Sequence, residues 1–196
     1  MTRNIFLAVL AAMFVCTVFA AEPVSRRDAA RLQAKLDRIT KNSSLQGKKA
    51  TTAITEAEVN SYLRYELGDR IPAGVTEPWV SILDNGRLAG SATVDLGRVA
   101  KSRKSTGMLD PFSLLSGSLP LAVNGVLKTR NGMATFGLES ASISGVPVPA
   151  WMLQEIVSYY SKSPSTPNGV EIDKPFALPS GIREIQLAKG QALVVQ

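Results

Sequence analysis

Serine, lysine and carboxylate side chains are what this chain offers for covalent or acid–base chemistry. Histidine is absent, and the single cysteine is Cys16. That excludes Ser-His-Asp and Cys-His nucleophile systems, most zinc sites and all cysteine-ligated iron. A Ser-Lys dyad or a pair of carboxylates would still serve a hydrolase. The Ser-Lys neighbours Ser161-Lys162-Ser163 and Ser102 with Lys104 fall in polar, turn-rich stretches, away from any strand-to-helix elbow. The 15 glycines are spread through turns and strands, with no G-x-x-x-x-G-K-[ST] and no strand-linked G-x-G-x-x-G to cradle a phosphate. Asp84-Asn85-Gly86 lacks the ligand ladder of a calcium loop and reads as a turn. The residues therefore point to a non-enzyme, with no cofactor, no metal and no catalytic residue.

The first twenty residues say where such a protein works. Arg3 gives a positive start, Ile5 to Phe19 is apolar apart from Thr17, and Val18-Phe19-Ala20 places small residues at −3 and −1. This is the layout of a signal peptide cleaved after Ala20, which leaves residues 21–196 as a soluble chain expected to be exported, to the periplasm. Cys16 leaves with the signal, so core packing has to stabilise the mature domain without a disulfide. The net charge of +6 falls by one with Arg3. Basic residues gather at Arg26-Arg27, between Arg31 and Lys49, and from Lys101 to Lys104. Such a surface is a solvated basic face, or else one that meets an anionic membrane or other envelope polyanion. With few aromatics and no binding motif, nucleic acid is not expected as a partner.

The elements that would position any site follow from periodicity. Ser25 to Lys41 reads as a basic helix with Ser25 as its cap, followed by a linker through Ala53. Residues 21–51 are thus expected to precede a domain over 52–196. Thr55-Glu56-Ala57-Glu58 forms a capping box, with Ile54 and Val59 as a hydrophobic staple, so a helix should run from 55 to 67. From Val75 the period changes to two. Trp79–Leu83 and Arg87–Leu96 flank Asn85-Gly86, and Leu119–Lys128 and Met133–Ile143 flank Asn131-Gly132, giving two hairpins. Gly97 to Pro111 is expected to be a polar loop. The prolines of Gly145-Val146-Pro147-Val148-Pro149 should break the ladder and start a helix to about Ser161. Val170–Asp173, Ile182–Ala188 and Gln191–Val195 read as extended. The fold class is α+β: a curved, mainly antiparallel sheet built from hairpins, packed around two or three helices.

Small residues on the sheet faces (Gly90, Ala92, Gly125) admit two readings. They let a helix pack closely or mark bulges, or they open an elongated apolar groove. On the groove reading its walls are Ile82, Leu88, Val94, Leu121, Val123, Phe136, Leu138, Leu153, Ile156 and Val157, with Lys101, Arg103 and Lys104 at headgroups or the membrane. Trp79 and Trp151 are expected in the core, or else at a groove mouth.

Three stretches carry a resemblance. They are Ile54-Thr55-Glu56-Ala57-Glu58-Val59-Asn60-Ser61-Tyr62-Leu63, Ile143-Ser144-Gly145-Val146-Pro147-Val148-Pro149, and Pro175-Phe176-Ala177-Leu178-Pro179-Ser180-Gly181-Ile182. In this order, over about 52–196, the chain resembles exported bacterial envelope proteins of the LmeA and YpmS type, likened to tubular lipid-binding domains. The resemblance implies a curved sheet around helices and binding of a phospholipid or similar apolar ligand, and it implies no catalytic residue. The alternative is a non-enzymatic envelope scaffold with a solid core that pairs with a partner protein through its basic helix or a sheet edge.

Overall fold

The computed structural model describes residues 24–43, 50–102, 117–164 and 167–196. Within them the chain is α+β, with four helices and two antiparallel sheets, and no closed barrel. The larger sheet places β2 (Val75–Ile82), β3 (Arg87–Asp95), β4 (Ser118–Arg130), β5 (Met133–Ile143) and β6 (Val146–Pro147) side by side, and β7 (Phe176–Ala177) pairs with the start of β5. The smaller sheet has the order β1 (Thr51–Thr55), β9 (Gln191–Val195), β8 (Glu184–Ala188). Both central hairpins form as their Asn-Gly turns demand: Asn85 and Gly86 have φ of 61° and 75°, Asn131 and Gly132 of 51° and 80°.

Helix α1 (Arg26–Asn42) starts where Ser25 caps it, the hydroxyl accepting from the Asp28 N–H at 3.1 Å. Helix α2 (Glu56–Tyr65) carries the full capping box between Thr55 and Glu58. Their apolar sides meet the small sheet, where Leu32, Ile39, Ile54 and Val194 form a buried cluster with Val59 and Tyr62 packed against it. The Glu58 carboxylate is nearly buried there and is held by Lys35 at 2.7 Å. Helix α4 (Ala150–Tyr160) lies instead on the large sheet. Its Met152, Leu153 and Ile156 pack with Val94, Leu121, Ala141 and Ile143 in a second cluster, joined by Leu96 and Val99 of α3 (Leu96–Ser102).

Four local expectations are corrected. Gly97 does not open a loop: residues 96–102 are helical because Asp95 accepts from the Arg98 N–H and pairs with its guanidinium, both at 3.3 Å, while Leu96 and Val99 bury one turn apart. Residues 103–116 lie outside the described ones. The linker after α1 ends early, since Thr51–Thr55 is a strand whose partner β9 comes from the far end of the chain. Gly145 to Pro149 does not break the ladder at once, for Val146 and Pro147 pair back onto Ile143 and Ser142. Val170–Asp173 is not a strand; Ile172 and Asp173 instead donate to Gln154 and accept from the Leu138 N–H.

Candidate functional site

The ten apolar residues of the expected groove do share a face. Val94, Leu121, Leu153 and Ile156 are buried in one cluster, and Val123, Leu138 and Val157 pack against it. Farther along the sheet Ile82 faces Leu88 in register, and Leu88 faces Gly125. Phe136 lies over Gly125: a Cβ there would collide with the ring and would sit 2.6 Å from the Gly137 carbonyl oxygen. Gly125 also marks the bulge between β4 and β5. At Gly125 the Phe136 ring occupies the space that the small residue leaves, and the side chains of α4 pack over Val94 and Leu121, whereas a Cβ at Gly90 would meet only the Trp79 carbonyl oxygen, at 3.9 Å. The two helices sit over separate clusters, α2 with the small sheet and α4 with the large one. Lys101 is exposed at the end of α3, while Arg103 and Lys104 lie outside the described residues.

Space opens elsewhere, along the edge of β2. An edge strand exposes unpaired backbone groups, and α2 covers them here with side chains. Asn60 donates to the Val80 carbonyl and accepts from its N–H, both at 2.8 Å, so its amide replaces a missing strand. Glu56 accepts from the Ile82 N–H at 2.7 Å, and the Gly190 N–H donates to the Ile82 carbonyl at 2.8 Å. This cover ends at Pro78, which has no N–H to pair. The register shifts between Thr76 and Trp79, and Glu77 adopts a φ of 51°. A bulge next to a residue in the left-handed region is a feature that clusters at binding sites.

A cleft of about 520 Å³ lies there, between the end of α2, the turn through Ile71–Gly74 and the bulged part of β2. Leu63, Ile71, Val75, Pro78 and Trp79 give it apolar walls, and Val24 reaches it from the start of α1. Arg64 and Glu77, both exposed, bring one charge of each sign to the lining. The far end is fixed by Gly74, whose φ of 102° and close neighbours, Tyr160 Oη and Arg98 Cδ, admit no side chain. The Tyr160 hydroxyl donates to the Asp95 carbonyl at 2.7 Å and lies 3.4 Å from that of Gly74. Burial, and then the Asp95 charge, raise its pKa above the ordinary tyrosine value.

The sequence held one trace of this cleft. Pro72, Gly74 and Pro78 interrupt a stretch that otherwise reads as strand, the usual mark of an edge or bulge. What it hid was that α2 would lie along that edge. The expectation of core positions for both tryptophans is corrected too: Trp79 is half-buried at the cleft, and Trp151 is 49% exposed on α4. A second, polar cleft of about 600 Å³ lies between Thr129–Asn131 and Arg183–Glu184, where Arg183 donates to the Gln196 carbonyl at 2.7 Å. Among the described residues no three carboxylate, histidine or cysteine side chains cluster as metal ligands would.

No family model matches the chain, and no curated protein or solved structure matches it either.

Proposed function

We propose that this is an exported, non-catalytic binding protein that takes the apolar chain of a phospholipid or similar amphiphile into the cleft between α2 and the bulge of β2. The observation that carries the reading is the cleft itself. Its volume of about 520 Å³ falls within the range of roughly 300–1,000 Å³ usual for small-ligand sites. Apolar walls with one cation and one anion among them suit a zwitterionic amphiphile: Arg64 would face a phosphate and Glu77 an ammonium group. The signal-peptide pattern of residues 1–20 supports export to the envelope or periplasm, and no helix among the described residues is long and apolar enough to cross a membrane. The resemblance to LmeA and YpmS type proteins points to the same ligand class, with the site moved from the sheet interior to its edge.

The test is native mass spectrometry of the mature chain purified gently from its own host, followed by organic extraction. A stoichiometric lipid adduct is expected, lost on extraction and regained from phosphatidylethanolamine vesicles. Ala73→Phe places an aromatic ring in the cleft from an exposed backbone position and should cut the adduct by about tenfold at unchanged stability. A clean apo mass that gains no lipid would refute the reading. It would favour instead the scaffold alternative, which the packed interior under α4 also suits.

A further inference from the structure

Helix α1 divides its surface in two. Ala29, Leu32 and Ile39 are buried and Leu36 is partly buried, and at 3.6 residues per turn these four share one side. The opposite side carries Arg27, Arg31, Ala34, Arg38 and Lys41, all exposed, within about 80° of arc and along about 21 Å of the axis. No acid falls in that row. Asp28 and Asp37 stand on its flanks: Asp28 pairs with Arg31 at 2.8 Å and also feels the Arg27 charge, while Asp37 accepts from Gln33 at 2.8 Å. Among the described residues Arg27, Arg38 and Lys41 have no ion pair. The other two cations of the helix serve the fold, Lys35 holding Glu58 and Arg26 lying over the Tyr65 ring at 5.0 Å.

We infer that this row docks the protein on an anionic phospholipid bilayer, with α1 lying along the surface. Charge complementarity names the partner. Three of the four cations are arginines, whose guanidinium forks match the paired oxygens of a phosphate. Ala34 in the row and Ala30 beside it are short and exposed, so headgroups can come close between the cations. The shape favours a plane over a soluble polyanion. The row stands on the convex side of a helix, and neither cleft described above is lined by any of its residues, so no groove walls are there to grip a strand. On α2, packed beside α1, exposed Arg64 and Glu66 offset each other and leave the field of the row unopposed. This contact depends on headgroup charge and the cleft on an acyl chain, so docking stands independently of the amphiphile reading.

The experiment is sedimentation of the mature chain with vesicles of equal parts phosphatidylcholine and phosphatidylglycerol, and with phosphatidylcholine alone. Binding is expected only with phosphatidylglycerol, and should be lost near 0.5 M salt, where the screening length falls to about 4 Å. Arg27→Gln with Arg38→Gln should weaken it about 25-fold, at about fivefold per charge, with thermal unfolding unchanged. Arg87→Gln with Lys128→Gln removes the same net charge from exposed positions on β3 and β4 and should bind as wild type. Equal loss in both double variants would reduce the effect to net charge and overturn the inference, as would equal binding to phosphatidylcholine alone. Binding to heparin but to neither vesicle would assign the row to a soluble polyanion instead. A fluorophore on Ala34→Cys, in a mature chain without other cysteine, reads the contact with no charge removed. Headgroup-labelled lipid should quench it, and an unquenched label on bound protein would overturn the inference. Ala73→Phe should dock as wild type while losing the lipid adduct, so the two readings fail separately.

Discussion

Asn60→Asp is the sharpest perturbation of the cleft wall, because it changes one atom at a side chain that is 2% exposed. The wild-type amide makes two bonds of 2.8 Å to Val80, one in each direction. An ionised aspartate keeps the bond from the Val80 N–H and turns an oxygen toward the Val80 carbonyl, where a donor had been. One hydrogen bond is lost, a buried acceptor is left without a donor, and a carboxylate is desolvated. Costs of about 1–3 kcal/mol for an unsatisfied buried group set the scale, so about 2–4 kcal/mol of stability should disappear at pH 7. Protonation repairs part of the damage, since a neutral carboxyl can donate to the Val80 carbonyl. The folded-state pKa of the new group is therefore raised above that in the unfolded chain. The native state then binds more protons within that window, so stability falls as pH rises through it and is regained on acidification toward the ordinary carboxylate value. Each pH unit inside the window recovers up to about 1.4 kcal/mol. Urea unfolding followed by circular dichroism at pH 7 and pH 4.5, with wild type at both, measures the difference. A deficit below about 1 kcal/mol at pH 7, or one that does not shrink at pH 4.5, would refute the edge-cover argument.

Other predictions follow from single contacts. Gly125→Ala drives a Cβ into the Phe136 ring and the Gly137 carbonyl, and should lower stability by about 1–3 kcal/mol in thermal or urea unfolding; Gly125→Ala with Phe136→Leu should recover part of that loss. Tyr160→Phe removes the 2.7 Å bond to the Asp95 carbonyl and should cost about 1 kcal/mol near neutral pH. The raised pKa of Tyr160 gives a stability term present below the unfolded tyrosine value and lost as pH rises through the folded one, so the wild type should lose more stability than Tyr160→Phe above about pH 10. Asp28 behaves in the opposite sense. The Ser25 hydroxyl bond, then the Arg31 charge, lower its pKa, so this term is present above the ordinary carboxylate value and is lost as pH falls through the folded one. Ser25→Ala should weaken that acid dependence and leave the part due to Arg31, read as helix loss in an acid titration.

Local signals determined much of the architecture. The capping box at Thr55–Glu58, the Ser25 cap and the two Asn-Gly turns each act over a few residues, so α1, α2 and both hairpins follow from sequence alone. Alternation along β3, β4 and β5 likewise told which side chains share a face, because the period of a strand is two. The pairing of β1 with β9 was beyond such reading, as its two halves come from opposite ends of the chain and neither is specified without the other. Whether the small residues at Gly90 and Gly125 stand for a groove or for close packing depended on what crosses them. Phe136 settles this at Gly125, through a contact set by the bulge in β4–β5 register. The cleft is a tertiary product in the same sense. The sequence determined a proline-broken start to β2, but only the packing of α2 along that edge decided that Asn60 would pair with Val80 and leave space beside Pro78, because backbone hydrogen-bond demand at an edge can be met by any element that arrives there.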